Sequence, residues 1–193
     1  MNFLAHLYLS GKSDEIRLGN FIGDYVKGKD YDKYPPEVRK GILLHRSIDS
    51  FTDMHPIVRK SKSYFYDKYH KYSGIIIDIL YDHFLAHKWE MFSEINFDIY
   101  IENTHIWLQK NIDNMPLEMK KLVSHFMRNS WLKSYQSIEG IQNVLIGMSK
   151  GTSLPAENEY AIFILKKYYS ELKLDFLNYF PELIEHVKTK LEK

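Results

Sequence analysis

Apolar residues recur at intervals of three and four along almost the whole chain, and strict alternation over the length of a strand is hard to find. That periodicity limits the chain to helices whose apolar faces must cover one another, so the expected class is all-α, a helical bundle. No repeat, low-complexity run or linker rich in Gly, Ser or Pro divides the 193 residues, and with 45% hydrophobic content a single domain spanning 1–193 is expected. A short first helix is predicted at about 2–9. A second starts after Ser13, whose hydroxyl can cap it ahead of Asp14 and Glu15, and ends near Gly28. Pro35-Pro36 opens a third through about Met54, Pro56 forces a break, and a fourth reaches about Tyr72. The most apolar helix spans Gly74 to about Phe92, followed by amphipathic stretches near 97–112, 116–128, 137–149, 157–178 and 181–191.

The absence of cysteine excludes a disulfide framework, a thiolate metal site and a cysteine nucleophile, so any metal must sit on His, Asp or Glu. The opening MNFLAHLYLS lacks the basic start and small-residue cleavage site of a secretory signal and is read as mature protein. Asp78, Asp82 and His83 interrupt the most apolar segment well short of the roughly 20 apolar residues that a membrane span needs. A soluble cytoplasmic protein is expected, with no membrane insertion and no nucleic-acid partner. Residues 1–72 carry 13 Lys+Arg against 9 Asp+Glu, and residues 73–193 carry 13 against 16, so the halves stand at +4 and −3. If acidic groups of the first half are sequestered at a metal, the outer surface there is more basic still and suits an acidic partner.

In GILLHRSIDSFTDMHP, His45, Asp49 and Asp53 are spaced by four and project from one side of a helix. Asp78 and Asp82 repeat that spacing among Ile75, Ile76, Ile77, Ile79, Leu80, Phe84 and Leu85. An unpaired carboxylate in such surroundings costs several kcal/mol, comparable with the stability margin of a small domain, so these groups are expected to pair or to bind a metal. With His6 and Asp24, the candidates come from four helical segments that can converge inside a bundle. Imidazole and carboxylate without sulfur suit Mn²⁺, Fe²⁺, Zn²⁺ or Mg²⁺. Arg46, beside His45, either clamps two phosphate oxygens or pairs with Asp78 or Asp82. His70, His105, His125 and His186 show no comparable acidic spacing and stay unassigned.

MNFLAHLYLS, GNFIGDYVKG, GILLHRSIDSFTD, DHFLAHKW and IQNVLIGM together resemble the acyl carrier protein phosphodiesterases, in order and from residue 1 to about 150. The resemblance implies an all-helical fold of the divergent HD-phosphohydrolase kind. It also implies hydrolysis of the phosphodiester that joins 4′-phosphopantetheine to a serine of holo acyl carrier protein, with Mn²⁺ or a related divalent ion. This chain has no adjacent His-Asp pair in that order, the nearest doublet being Asp82-His83, reversed. The resemblance carries over only positions in the matched motifs: His6, Asp24, His45, Asp49, Asp78, Asp82 and His83 as metal ligands, and Asp53 or Asp78 as the carboxylate that orients water or accepts its proton. Arg46 would then neutralise nonbridging oxygens. Because acyl carrier proteins are acidic, Lys27, Lys29, Arg59, Lys60 and Lys62 are expected to dock the partner. Two rival readings are a metal-dependent phosphohydrolase of nucleotides or small phosphoesters, and a noncatalytic helical binding module.

Overall fold

The computed structural model describes residues 1–128 and 130–192, and of His125 and Arg128 the backbone alone. Among the described residues there is no strand. The helices are α1 (Phe3–Tyr8), α2 (Asp14–Ile22), α3 (Pro36–Met54), α4 (Pro56–Ser63), α5 (Tyr66–Tyr69), α6 (Ser73–His87), α7 (Phe97–Asn111), α8 (Leu117–Arg128), α9 (Trp131–Ser134), α10 (Ile138–Gly151), α11 (Asn158–Lys167) and α12 (Tyr169–Leu191). The starts follow local chemistry. Ser13 Oγ accepts from Ile16 N ahead of Asp14 and Glu15, Pro36 opens α3, and Ser137 caps α10 through Gly140 N.

Helix α6 is the axis of the molecule. Every residue from Ile79 to Ala86 is buried, as for a helix apolar all round, and α1, α4, α10 and α12 pack against it. One apolar cluster takes side chains from Met1 through Val187.

Three boundaries differ from the sequence expectation. The second helix ends at Ile22 and passes into a 3-10 turn, Gly23–Tyr25, so Asp24 sits on a turn rather than in a helix. The fourth helix stops at Ser63, and His70, at φ 45°, starts a separate 3-10 turn. Pro181 does not break the chain, because it lies inside α12 and the interruption falls at Tyr168. An interior proline costs about 3 kcal/mol. Phe176, Tyr179, Phe180 and Leu183, all fully buried on both sides of it, each contribute about 1.5–3 kcal/mol and outweigh that cost.

Two glycines bring α2 and α3 into backbone contact. A Cβ at Gly19 would lie 1.9 Å from Val38 O, and one at Gly41 2.2 Å from Ile16 O, so any larger residue would push the helices apart. This crossing sets the distance between the side chains that α2 and α3 contribute to the site.

Asp82, in the middle of α6 and 0% exposed, accepts hydrogen bonds from Leu4 N at 2.7 Å and from Asn2 N and Ala5 N at 3.3 Å. It therefore satisfies the N–H groups that the first turn of α1 leaves without intrahelical partners. The expectation that Asp82 is a metal ligand is corrected here, since both of its oxygens are committed to α1. Replacing Asp82 by Ala leaves three donors without an acceptor in the core. We predict a loss of about 3 kcal/mol or more in urea denaturation, seen as a fall in Tm of roughly 6–12 °C. An unchanged midpoint would show that the α1 cap contributes nothing to stability.

Candidate metal centre

α1, α2 and α3 bring His6, Asn20, His45 and Asp49 together. His6 and His45 are each 4% exposed, and their rings stack with centroids 4.1 Å apart and planes 18° from parallel. Asn20 orients both. Its backbone carbonyl accepts from His45 Nδ1 at 2.8 Å. Its amide nitrogen donates to His6 O at 2.8 Å and to Ser10 Oγ at 3.0 Å, which leaves Oδ1 as the acceptor for His6 Nδ1 at 2.8 Å. With both Nδ1 atoms acting as donors, both Nε2 atoms face the same point.

Asp49 meets them there, with Oδ1 3.2 Å from His6 Nε2 and Oδ2 3.1 Å from His45 Nε2. One donor atom from each of His6, His45 and Asp49 falls within 4.8 Å of the others. Asp24 Oδ1 approaches His45 Nε2 at 3.3 Å from the 3-10 turn. Gly23 makes room for this, since a Cβ there would come 2.3 Å from the His45 ring.

The charges of the cluster are set by burial and by the groups around it. Burial and the neighbouring His45 lower the His6 pKa, so the ring is neutral with its Nε2 lone pair facing a carboxylate oxygen. Burial also disfavours charge on His45, but the Asp24 and Asp49 carboxylates outweigh it and push this imidazole up to about 9. Burial opposes ionisation of Asp49 as well, and His45, His6 and the terminal ammonium reverse that and hold it well below the usual carboxylate range. Asp24 is lowered, chiefly by His45. His45 Nε2 is buried at ion-pair distance from two carboxylates yet lies off the line of a hydrogen bond to either. Two Nε2 lone pairs, one carboxylate and a second carboxylate at the rim make a donor set that fits a divalent cation.

The remaining candidate residues lie in different surroundings. Asp78 is half-buried, and its Oδ1 lies 3.0 Å from the Met1 terminal ammonium, which is also 3.7 Å from Asp49 Oδ1. Burial raises the Asp78 pKa against the pull of that ammonium. Asp78 is thus tied to the cluster through a positive charge.

His83 lies away from the cluster. Its Nδ1 contacts the Tyr135 carbonyl at 2.7 Å and its Nε2 the Tyr169 hydroxyl at 3.1 Å, while burial lowers its pKa to about 4. The expectation of a ligand is corrected, because both nitrogens of this neutral histidine already have partners. Arg46 pairs with neither Asp78 nor Asp82 and does not line either cleft. Its guanidinium donates to Val26 O at 2.9 Å and lies over the Tyr31 ring at 5.0 Å, fastening the 23–34 segment to α3. Asp53, exposed near the end of α3, pairs with Lys62 at 2.6 Å. Among the unassigned histidines, His186 Nε2 contacts Ser47 Oγ at 2.8 Å, and the side chain of His125 lies outside those described.

Through Asp24 and Asp49 the cluster borders a cleft of about 920 Å³ whose lining also includes Asp53, Asp78, Glu118, Phe3, Leu122, Trp131 and Met148. A second cleft of about 860 Å³ shares Asp53, Ile75 and Asp78 with it and carries Arg59, Lys62 and Lys71. Lys27 lines the first cleft, where its ammonium donates to Asp24 O at 2.5 Å. Lys29 is exposed, and Lys60 is tied to the buried Asp175 at 2.8 Å, joining α4 to α12.

Sequence reasoning missed Asn20 and Gly23. The signal available was GNFIGD itself, in which a polar amide and a second glycine interrupt an apolar helical face.

Fold and site together define an all-α protein with a buried imidazole–carboxylate cluster, able to hold a cation, beside a cleft. The chain belongs to the acyl carrier protein phosphodiesterase family, whose sequence model matches residues 1–183. It is 30% identical over 191 residues to the acyl carrier protein phosphodiesterase of Yersinia pestis, 30% to that of Pectobacterium atrosepticum and 28% to that of Serratia proteamaculans. Each comparison covers 98% of this chain and 99% of the relative. The similarity therefore continues past about residue 150, where the recognisable motifs stop. No solved structure matches the chain at a significant level. Among the described residues, no helix is long and apolar enough to cross a membrane.

A proton on His45 competes with a metal for Nε2. We predict that Mn²⁺ affinity, measured by calorimetry, tightens about tenfold per pH unit from pH 7 towards 9, with about one proton released, and levels off above about 9. In the same titration Asn20→Ala weakens binding by about 10–100-fold. An affinity independent of pH would remove His45 from the ligand set.

Proposed function

We propose that this chain, folding as one domain, is a cytoplasmic Mn²⁺-dependent phosphodiesterase of the divergent HD kind. In this reading it removes 4′-phosphopantetheine from holo acyl carrier protein and leaves the apo protein. The observation that carries the reading is the convergence of His6 Nε2, His45 Nε2 and Asp49 at the polar end of a cleft, in a chain whose family acts on this phosphodiester. His6, His45 and Asp49 hold the ion, with Asp24 at the rim. Mg²⁺, Fe²⁺ and Zn²⁺ are compatible with the same donors. When bound, a divalent ion lowers the pKa of water from 15.7 towards about 7 and stabilises charge growing on phosphoryl oxygens.

Asn20 keeps both imidazoles in the tautomer that leaves Nε2 free for the ion. Asp78, lining the cleft beside Asp49, is the carboxylate that orients the attacking water and accepts its proton; its raised pKa makes it a stronger base than an exposed aspartate. Asp53 does not serve as that base in this reading, because Lys62 engages it at the surface. The bond from water to phosphorus forms as the P–O bond to the carrier-protein serine breaks, and the serine oxygen leaves and takes a proton, so the products are the apo protein and 4′-phosphopantetheine with no covalent enzyme intermediate.

The acidic partner docks on the groove next to the site, where Arg59, Lys62 and Lys71 stand among Asp53, Asp67 and Asp78. Arg59 and Lys62 face that groove, Lys27 stands at the cleft and Lys29 lies on the exposed turn beyond it. Lys60 contributes through its ion pair to Asp175 and holds α4 in place under Arg59.

Intact-mass measurement of holo acyl carrier protein tests the proposal. Wild-type protein with Mn²⁺ should yield the apo mass, and His45→Ala should yield none. Asp78→Asn should retain Mn²⁺ while kcat falls by about 10²–10⁴. The double change Arg59→Glu with Lys62→Glu should raise KM, most at low ionic strength. Activity confined to nucleotides, or turnover in the His45 variant, would overturn the proposal.

A further inference from the structure

Within the larger cleft, glycines stand where the fold does not call for them. Gly19, Gly23, Gly41 and Gly140 are each required by a neighbouring atom closer than 3 Å to where a Cβ would lie. Gly147 and Gly151, four residues apart on α10, are not. A Cβ at Gly147 would rest 3.5 Å from the Trp131 ring, an ordinary contact, and one at Gly151 would meet nothing within 4 Å. Neither has positive φ, since the positive-φ glycines are Gly11 and Gly28. Glycine inside a helix is less favourable than alanine, so at Gly147 the fold alone would be served better by alanine, and at Gly151, the last residue of α10, neither space nor φ demands glycine.

Both glycines line the cleft beside the His–Asp cluster, so α10 offers it bare backbone at these two positions, next to the Met148 side chain. Phe3, Ile75, Leu122 and Trp131 line it from other elements. Trp131 is fixed by stacking on Phe126 at 5.4 Å and by its indole N–H, which donates to Tyr135 at 3.2 Å. The polar end carries the buried His45 Nε2, which has no hydrogen-bond partner and sits beside the two carboxylates that line the cleft. Asp24 and Asp49 belong to the cluster and Asp78 is tied to it, while the half lined by α8, α9 and α10 carries Glu118, Leu122, Trp131, Gly147, Met148 and Gly151, one ionisable group among apolar ones.

We propose that this far half is the bed of the pantetheine arm. Gly147 and Gly151 admit the extended, uncharged chain against the backbone of α10, and the Trp131 ring forms the side of the slot. The proposal rests on the reading of the reaction given above and deepens it by fixing the direction of the substrate. The carrier protein lies over the groove that holds Arg59 and Lys62, the phosphate at the cluster, and the arm runs along α10. Discrimination between a carrier-bound arm and a short phosphodiester then resides in two missing side chains, because an uncharged chain in an apolar slot is recognised by fit.

The test fills the slot. Gly147→Leu and Gly151→Leu should each raise KM for holo acyl carrier protein at least tenfold. Gly147→Ala and Gly151→Ala should raise it less, with Tm equal to or above that of the wild type, an outcome that damage to the fold cannot produce. Binding of pantetheine itself, without phosphate, followed by tryptophan fluorescence, should be lost in the Gly151→Leu protein. A KM untouched by all four substitutions, or one that rises only in step with a falling Tm, overturns the arm bed while leaving the reaction standing. Wild-type protein that binds pantetheine in a Gly151-dependent manner yet leaves holo carrier protein intact keeps the bed and overturns the reaction.

Discussion

Asn20 decides what this molecule presents to its cleft. By accepting from Nδ1 of both His6 and His45, one through its side chain and one through its backbone, it turns two buried imidazoles so that their Nε2 atoms share a focus with Asp49. Without a cation there, a neutral ring faces a carboxylate and a second imidazole stays protonated far above its ordinary pKa. A buried group of charges is tolerated only when its members are paired, and a divalent ion satisfies all of these at once. The glycine crossing of α2 and α3 serves the same end, because it holds the Asn20 carbonyl of α2 against His45 of α3.

The most apolar helix supports the site from behind. Asp82 caps α1 and so fixes the helix that carries His6, while Asp78, one turn earlier, reaches the terminal ammonium beside Asp49. Two carboxylates four residues apart thus do different things. One is a structural acceptor for backbone N–H groups, and the other borders the cleft.

Much of this was legible in the sequence where the signal is local. The three-and-four periodicity marked the helices, Ser13 and Pro36 marked two of their starts, and the spacing of His45 and Asp49 placed them on one face. Spacing reports which face residues share but not what packs opposite. For that reason Asp53, Asp82 and His83 looked equivalent to the true members of the cluster. Lys62, the α1 N-terminus and the Tyr135 carbonyl are distant in sequence and claim them instead. GNFIGD marks Asn20 and Gly23 as out of place on an apolar face, but their roles exist only once α1 and α3 lie across α2. Pro181 misled because the local cost of a proline was visible and the burial that outweighs it was not.

A crystal of the protein grown with Mn²⁺ and measured for anomalous scattering tests the central claim most directly. The account predicts a peak within about 2.0–2.4 Å of His6 Nε2, His45 Nε2 and an Asp49 oxygen. A peak elsewhere with this cluster empty, or a cluster that takes no ion at saturating Mn²⁺, would contradict it.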